Sequence, residues 1–355
     1  MAEAEAPDSA GFAERMIHMM NEAMLALMVS VGHRTGLFDV MAAMPAATSA
    51  EIASEAALDE RYVREWLAAM TTGRIVEHDG VAGTFSLPAD HALFLTRAAG
   101  PDNLAILAQY VGLLAVAEDQ IVDCFRQGGG VPYSAFPKFN ALMAEASGAV
   151  HDATLIDVTL PLVPGLVDQL GQGIDVADVG CGSGHAINLM AEAFPLSQFA
   201  GFDLSDTGLA AAMAEAESKG LTNVRFEKRD AARLGETDRF DLVTTFDAVH
   251  DQARPDLVLA GIAQALRPGG VYLCADVSAS SKLSENLDHP IGPWGYTISC
   301  MHCMTVSLAD GGMGLGTMWG EQKAQEMISD AGFTSIEVAH VDGDIFNTYF
   351  IATKN

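Results

Sequence analysis

Val176-Ala177-Asp178-Val179-Gly180-Cys181-Gly182-Ser183-Gly184-His185 is the stretch that decides the fold. Apolar residues run into a D-x-G-x-G-x-G turn, and a helix-like segment, Ala186 to Phe194, follows. Glycine at every second position describes a backbone that turns tightly and leaves room for something to lie against it. Nineteen residues beyond Gly184 stands Asp203, at the end of the apolar run Gln198 to Phe202. Strand, glycine loop, helix and a second strand ending in an acid put a carboxylate where the two hydroxyls of a ribose can meet it. The unit predicts a nucleoside ligand.

A dinucleotide fingerprint, G-x-G-x-x-G, fails here, because the sixth positions counted from Gly180 and Gly182 are His185 and Ile187. Asp178, ahead of the loop, suits a ligand with a cationic amino group. Further segments follow in order: Val224 to Ala231 with Asp230, Phe240 to Asp247, and Ala265 to Leu273 with Pro268-Gly269-Gly270. In this order and spacing they resemble the class I S-adenosylmethionine-dependent methyltransferases, over Ile174 to Lys354. The resemblance implies an α/β, Rossmann-like, seven-stranded domain with S-adenosylmethionine as cofactor. It places Asp178, Gly180, Gly182 and Gly184 at the cradle, Asp203 and Leu204 at the sugar, and Asp230 and Ala231 at the adenine. Phe246 and Asp247, at the end of the fourth strand, face the methionine part.

With 355 residues, half of them hydrophobic and 19% charged, the chain can bury the cores of two domains. Its 19 basic residues against 47 acidic ones give a net charge of −28. Such a surface repels phosphate backbones and anionic membranes, so neither nucleic acid nor membrane is expected as a partner. Met1 to Ala10 carry three acids and no base, unlike a secretion signal. Five irregularly spaced cysteines give no disulfide framework, and a reducing cytoplasm fits. Cys300-Met301-His302-Cys303 invites a zinc reading, but no second Cys/His cluster completes four ligands, so no metal is expected.

Upstream, Phe12 to Val31 reads as a helix with Met16, Ile17, Met19, Met20, Met24, Leu27 and Met28 at helical spacing. Thr48 and Glu51 have the spacing of a capping box; a second helix, Glu60 to Thr71, follows, and the alternating segments Ile75–His78 and Thr84–Leu87 suggest a hairpin. This is a winged-helix pattern. Between Thr48 and Gly80 three arginines face seven acids, the wrong balance for a phosphate backbone. The pattern resembles the N-terminal domain of two-domain small-molecule O-methyltransferases, which implies a homodimerisation domain. The expected organisation is a disordered tail at 1–10, a mainly helical winged-helix domain at 11–100, a helical connector at 101–170 and the methyltransferase domain at 171–355. Within the connector, helices are expected over Asn103 to Phe125 and Phe139 to Val158. Tyr110, Tyr133, Phe136 and Phe139 are candidates for a substrate wall.

Methyl transfer to a hydroxyl needs a general base near the methyl group. His250, in Ala248-Val249-His250-Asp251, falls where the resemblance places a catalytic histidine. Those enzymes orient it with two acids. Asp276 matches one; the other position falls near Met318 and is not acidic. The segment from Asn286 to Trp319 reads as a cap, with Trp294, Tyr296, His302 and Trp319 as substrate contacts and His302 as the second choice of base. The expected reaction is methyl transfer to a small aromatic or apolar molecule, at oxygen. Transfer to sulfur or nitrogen is the in-class alternative, and a cofactor-sensing winged-helix transcription regulator the alternative outside it.

Overall fold

The computed structural model describes residues 9–355. The expected tail at 1–10 lies outside the described residues as far as residue 8. Its last two residues already belong to the first helix, α1 (Ser9–Thr35), which is longer at both ends than the apolar spacing alone predicts. Arg34 in its last turn favours the extension by meeting the negative end of the helix dipole. The chain divides into two compact units, the boundary falling between Ala115 and Val116.

The first unit continues with α2 (Leu37–Ala43), α3 (Ser49–Glu55), α4 (Glu60–Thr72), the hairpin strands β1 (Glu77–Asp79) and β2 (Thr84–Ser86), α5 (Ala89–Leu95) and α6 (Gln109–Ala115). The capping box is formed: the Glu51 N–H donates to Thr48 Oγ1 (3.4 Å) and the Thr48 N–H to Glu51 Oε2 (2.8 Å). Asp59 caps α4 by accepting from the Arg61 N–H at 3.0 Å. Phe38, Ile52, Leu67 and Met70 are fully buried between these helices, and Trp66 donates its indole N–H to the Met28 carbonyl. Of the apolar residues read on α1, Met28 packs on this core. Ile17, Met19, Met20 and Met24 stay more than half exposed.

The second unit opens with α7 (Glu118–Gln127), α8 (Phe139–Thr154) and α9 (Leu166–Gln172). The single helix expected over Asn103 to Phe125 is broken, and one break coincides with the boundary between the units. There follow β3 (Asp175–Val179), α10 (His185–Ala193), β4 (Gln198–Asp203), α11 (Asp206–Ser218), β5 (Val224–Lys228), β6 (Phe240–Phe246), α12 (Pro255–Ala265) and β7 (Leu266–Val277). The cap segment forms α13 (Gly292–Ile298) and α14 (Met304–Ala309), joined by a π-turn at Ser299–Cys303. The chain ends with α15 (Gly320–Asp330), β8 (Ser335–Ala339) and β9 (Asn347–Thr353).

These seven strands lie in the order β5-β4-β3-β6-β7-β9-β8, the first five parallel and β9 antiparallel to both neighbours. Side-chain alternation divides the strands between two cores. Val176, Leu242, Leu273 and Ile351 enter one, with helices α9 and α10; Ala177, Val243, Tyr272 and Phe350 enter the other, with α12 and α15. Burial on both faces explains why these strands read as continuous apolar runs. From β3 the sheet grows in both directions, β4 on one side and β6 on the other, so a crevice opens at the carboxyl ends of these strands.

Candidate functional site

The glycine loop turns out of the carboxyl end of β3 with Gly180, Gly182 and Gly184 all at positive φ (76°, 53° and 71°). A Cβ on Gly180 would lie 2.5 Å from the Cβ of Ala248, whereas one on Gly182 would meet nothing within 4 Å. The first glycine is therefore required by packing within the chain. The second lines open space, as a cradle for a ligand does. Asp203 closes the loop: its Oδ2 accepts from the Gly182 N–H at 2.8 Å and its Oδ1 from the Ser205 N–H at 2.7 Å. Its remaining lone pairs can take the two hydroxyls of a sugar. Leu204 beside it is 56% exposed, which leaves an apolar side chain for a base to cover.

Asp178 is buried and accepts from Thr244 Oγ1 at 2.8 Å. Burial pushes its carboxyl up to about 7, against the pull of the Thr244 hydroxyl and with a further push from Asp203. A cation beside Asp178 would restore its charge. Asp230 caps the turn Ala231–Arg233 by accepting from the Ala232 N–H at 2.9 Å, and Ala231 is buried behind it. Its other oxygen has only a 3.8 Å approach from exposed Arg233.

At the ends of β6 and β7 the chemistry changes. His250 Nδ1 donates to Asp276 Oδ1 at 2.7 Å, with both residues buried. The same oxygen accepts the Val277 N–H at 2.7 Å. Burial disfavours the imidazolium of His250, yet the Asp276 carboxylate and the neighbouring Cys303 overrule it and hold the group well above its ordinary pKa. Asp251 is not the orienting acid; burial pushes it up to about 6. Asp247 stands at φ 50°, held by its N–H to the Ala275 carbonyl at 2.9 Å. Donor atoms of Asp247, His250 and Asp276 lie within 4.8 Å of one another, close enough to consider a cation. With Nδ1 engaged by Asp276, only Nε2 of His250 could join the two carboxylates as a ligand, a set of three groups short of a complete coordination shell.

The cap is stitched to the loop after β6. The Gly316 N–H donates to the His250 carbonyl at 3.1 Å, the Met313 N–H to the Ala253 carbonyl at 3.0 Å, and the Ser307 hydroxyl to the Gln252 carbonyl at 2.8 Å. His302 is fully buried. It stacks on Phe139 with ring centres 3.5 Å apart and meets Phe136 and Tyr133 edge-on at 4.7 and 5.2 Å. Burial, aided by the charge on His250, pushes its pKa down to about 3, so it stays neutral. Trp294 packs edge-on against Phe346 at 6.0 Å, and the Tyr296 hydroxyl accepts from Asn286 Nδ2 at 2.9 Å. Trp319 is 5% exposed and joins the core shared with Val249, Ala324 and Ile328. Of the aromatic wall, Tyr110 falls in the first unit and Tyr133, Phe136 and Phe139 in the second.

Two residues escape the linear sequence. Thr244 reaches Asp178 only because β3 and β6 pair with those two residues in register. His151 lies on α8 with its ring 4.9 Å from Phe246, and burial pushes it down to about 4. A lone histidine on a helix gives no local signal of either contact.

Comparison with known proteins agrees with this architecture. Residues 23–97 match the Rv2258c-like winged HTH domain and residues 170–334 the methyltransferase domain. A fatty-acid O-methyltransferase of Mycolicibacterium smegmatis is 33% identical over 115 residues, 32% of this chain and 41% of that enzyme. The chain spans less than half the length of the curated relatives it matches. Among solved structures, human N-acetylserotonin methyltransferase in complex with S-adenosylmethionine superposes with TM-score 0.71 at 17% identity, covering all of both chains. A mitomycin 7-O-methyltransferase gives TM-score 0.73 at 16% identity over 97% of this chain and 98% of the other. At these identities the structures speak for the fold. The chain thus joins a winged-helix domain to a methyltransferase domain of the class I fold. No single helix among the described residues is long and apolar enough to cross a membrane.

Proposed function

We propose that the protein transfers the methyl group of S-adenosylmethionine to a small, apolar or aromatic acceptor, at oxygen, with His250 as general base. The supporting observation is the His250–Asp276 pair, buried beside the glycine loop at the same edge of the sheet. The cofactor supplies an electrophilic methyl group on a sulfonium. Asp178, Gly180, Gly182 and Gly184 cradle it, Asp203 takes its sugar, Leu204, Asp230 and Ala231 its adenine, and Phe246 with Asp247 border its amino-acid end. Asp276 fixes the tautomer of His250 by accepting from Nδ1, which turns Nε2 into the nitrogen that takes the acceptor's proton. The cap helices, with Trp294, Tyr296 and His302, exclude water from the crevice.

One observation favours the reading as a sulfur or nitrogen methyltransferase. Asp276 raises the pKa of His250, which leaves less of its base form near neutrality, and thiols and amines need less help from a base than alcohols. Release of S-adenosylhomocysteine from a panel of phenols, thiols and amines, with wild type and His250→Ala, separates the two. Loss confined to the phenols supports the oxygen reading; equal turnover of phenols by both proteins would overturn it.

The uncovered face of α1 supports a homodimer. Phe12, Ile17, Met19, Met20 and Met24 are each more than half exposed on one 27-residue helix, an apolar stripe of the kind that a second copy covers.

A further inference from the structure

The second acid that the sequence lacks near Met318 has a substitute. Met318 is itself buried and apolar, so no carboxyl supports His250 from that side. On the other side, two buried oxygens have no hydrogen-bond partner among the described residues: Oδ1 of Asp247 and Oδ2 of Asp276. They belong to carboxyl groups whose nearest donor atoms lie within 4.8 Å of each other and of the His250 ring. Ionised carboxylates only accept hydrogen bonds, so two of them with ligand atoms within 4.8 Å, each holding a buried oxygen without a donor, satisfy neither and repel. A single proton between them resolves both problems. We propose that Asp247 and Asp276 hold one proton in common, carried mainly by Asp247, which makes Asp247 the second acid that positions His250. This inference deepens the reading of His250 as base and rests on it.

The assignment of the proton to Asp247 follows from the partners of each group. Asp276 already accepts from His250 Nδ1 and the Val277 N–H, both of which stabilise its charge. Asp247 has no such donors on Oδ1. Burial first, then the charge of Asp276, push Asp247 up to about 7, with Asp344 and Asp251 adding and His250 opposing. The other titratable groups facing it, Tyr349 on β9 and Cys274 on β7, are themselves pushed up by burial and stay neutral. A left-handed backbone at φ 50°, anchored by the Ala275 carbonyl, keeps the Asp247 side chain at this place; aspartate tolerates that conformation better than most residues. The pair then works as a buffer behind the imidazole. A proton donated to Asp276 Oδ2 spreads the carboxylate's charge and weakens its hold on the imidazolium, which brings His250 closer to the base form.

The test reads protonation directly and needs no acceptor. Infrared difference spectra of wild type and D247N at neutral pH are to show a protonated-carboxyl C=O band in wild type that D247N lacks. Nitrogen-15 histidine NMR, with His250 assigned through H250Q, then follows its titration. In D247N the amide N–H still donates to Asp276, so the midpoint stays near wild type; in D247L it moves up by about half a pH unit or more. Absence of the carboxyl band overturns the proposal, as does an equal shift in D247N and D247L, or stoichiometric binding of Mn²⁺ that D247N abolishes. If D247L does not fold, the infrared comparison decides alone. Failure to find a methylated acceptor would count against the function and leave these readouts unaffected.

Discussion

The two halves of the crevice are built differently. On the side of β3, β4 and β5 two of the three candidate cofactor acids are tied to nearby main chain, Asp203 to Gly182 and Ser205 and Asp230 to Ala232, and only Asp178, which rests on the Thr244 hydroxyl, is displaced from its ordinary pKa. On the side of β6 and β7 the acids crowd one another, two oxygens lack partners, and Asp247, His250 and Asp251 are all displaced from their ordinary pKa values. A surface whose acids are mostly tied to nearby main chain suits a ligand that is always the same. Groups poised between protonation states suit chemistry. Binding and catalysis should therefore come apart under mutation.

The largest effect is expected at His250. His250→Ala should lower kcat for an oxygen acceptor by ~10²–10⁴, the usual contribution of a general base, with S-adenosylhomocysteine affinity unchanged by calorimetry. The opposite pattern belongs to Gly182→Val. Its Cβ would meet no protein atom within 4 Å, yet the φ of 53° strains any side chain there, so the filled cradle and the displaced loop together should lower cofactor affinity ~100-fold or more, while circular dichroism shows the rest of the fold intact. A single variant that impaired both equally would break the distinction.

Next comes pH. His250 must be neutral to accept a proton, and its pKa is raised, so the rate for an oxygen acceptor should climb as pH rises through and beyond neutrality. Removing the charge in Asp276→Asn lowers that pKa; the limb of the pH–rate profile should move to lower pH, with a plateau ~10-fold lower because the base is weaker and less well oriented. A smaller change is expected for Thr244→Val. It removes the hydroxyl that stabilises the Asp178 carboxylate, so cofactor affinity should drop ~5-fold, most clearly below pH 7 where Asp178 takes up its proton. The smallest effect on the crevice is predicted for Met20→Glu with Met24→Glu on α1: light scattering should report a monomer, while cofactor affinity stays within ~2-fold.

The same contrast explains what could be read from the chain in advance. The cofactor half is local. A glycine every second residue, an acid at the end of the next strand and an Asx turn after the third are short-range patterns, and each sits where the spacing puts it. The acceptor half is assembled from segments far apart in sequence. Position identified His250 and Asp276, but the stack of His302 on Phe139 joins residues 163 positions apart. The contact of Thr244 with Asp178 depends on strand register. Trp319 follows the same rule: an aromatic next to a glycine-rich run reads as a pocket wall, and its place in the core with Ala324 and Ile328 comes from the packing of α15 on the sheet. In the connector, apolar spacing continues through Val116, and nothing in that spacing marks where one unit ends and the next begins.

The hydrogen bond from Gly316 to the His250 carbonyl carries a mechanical implication. Movement of the 310–318 strip away from the crevice must either stretch that link or drag the histidine's main chain with it. If that strip is the part that opens to a guest, entry and loss of the imidazole's alignment are one event, and the alignment returns only when the strip has settled again.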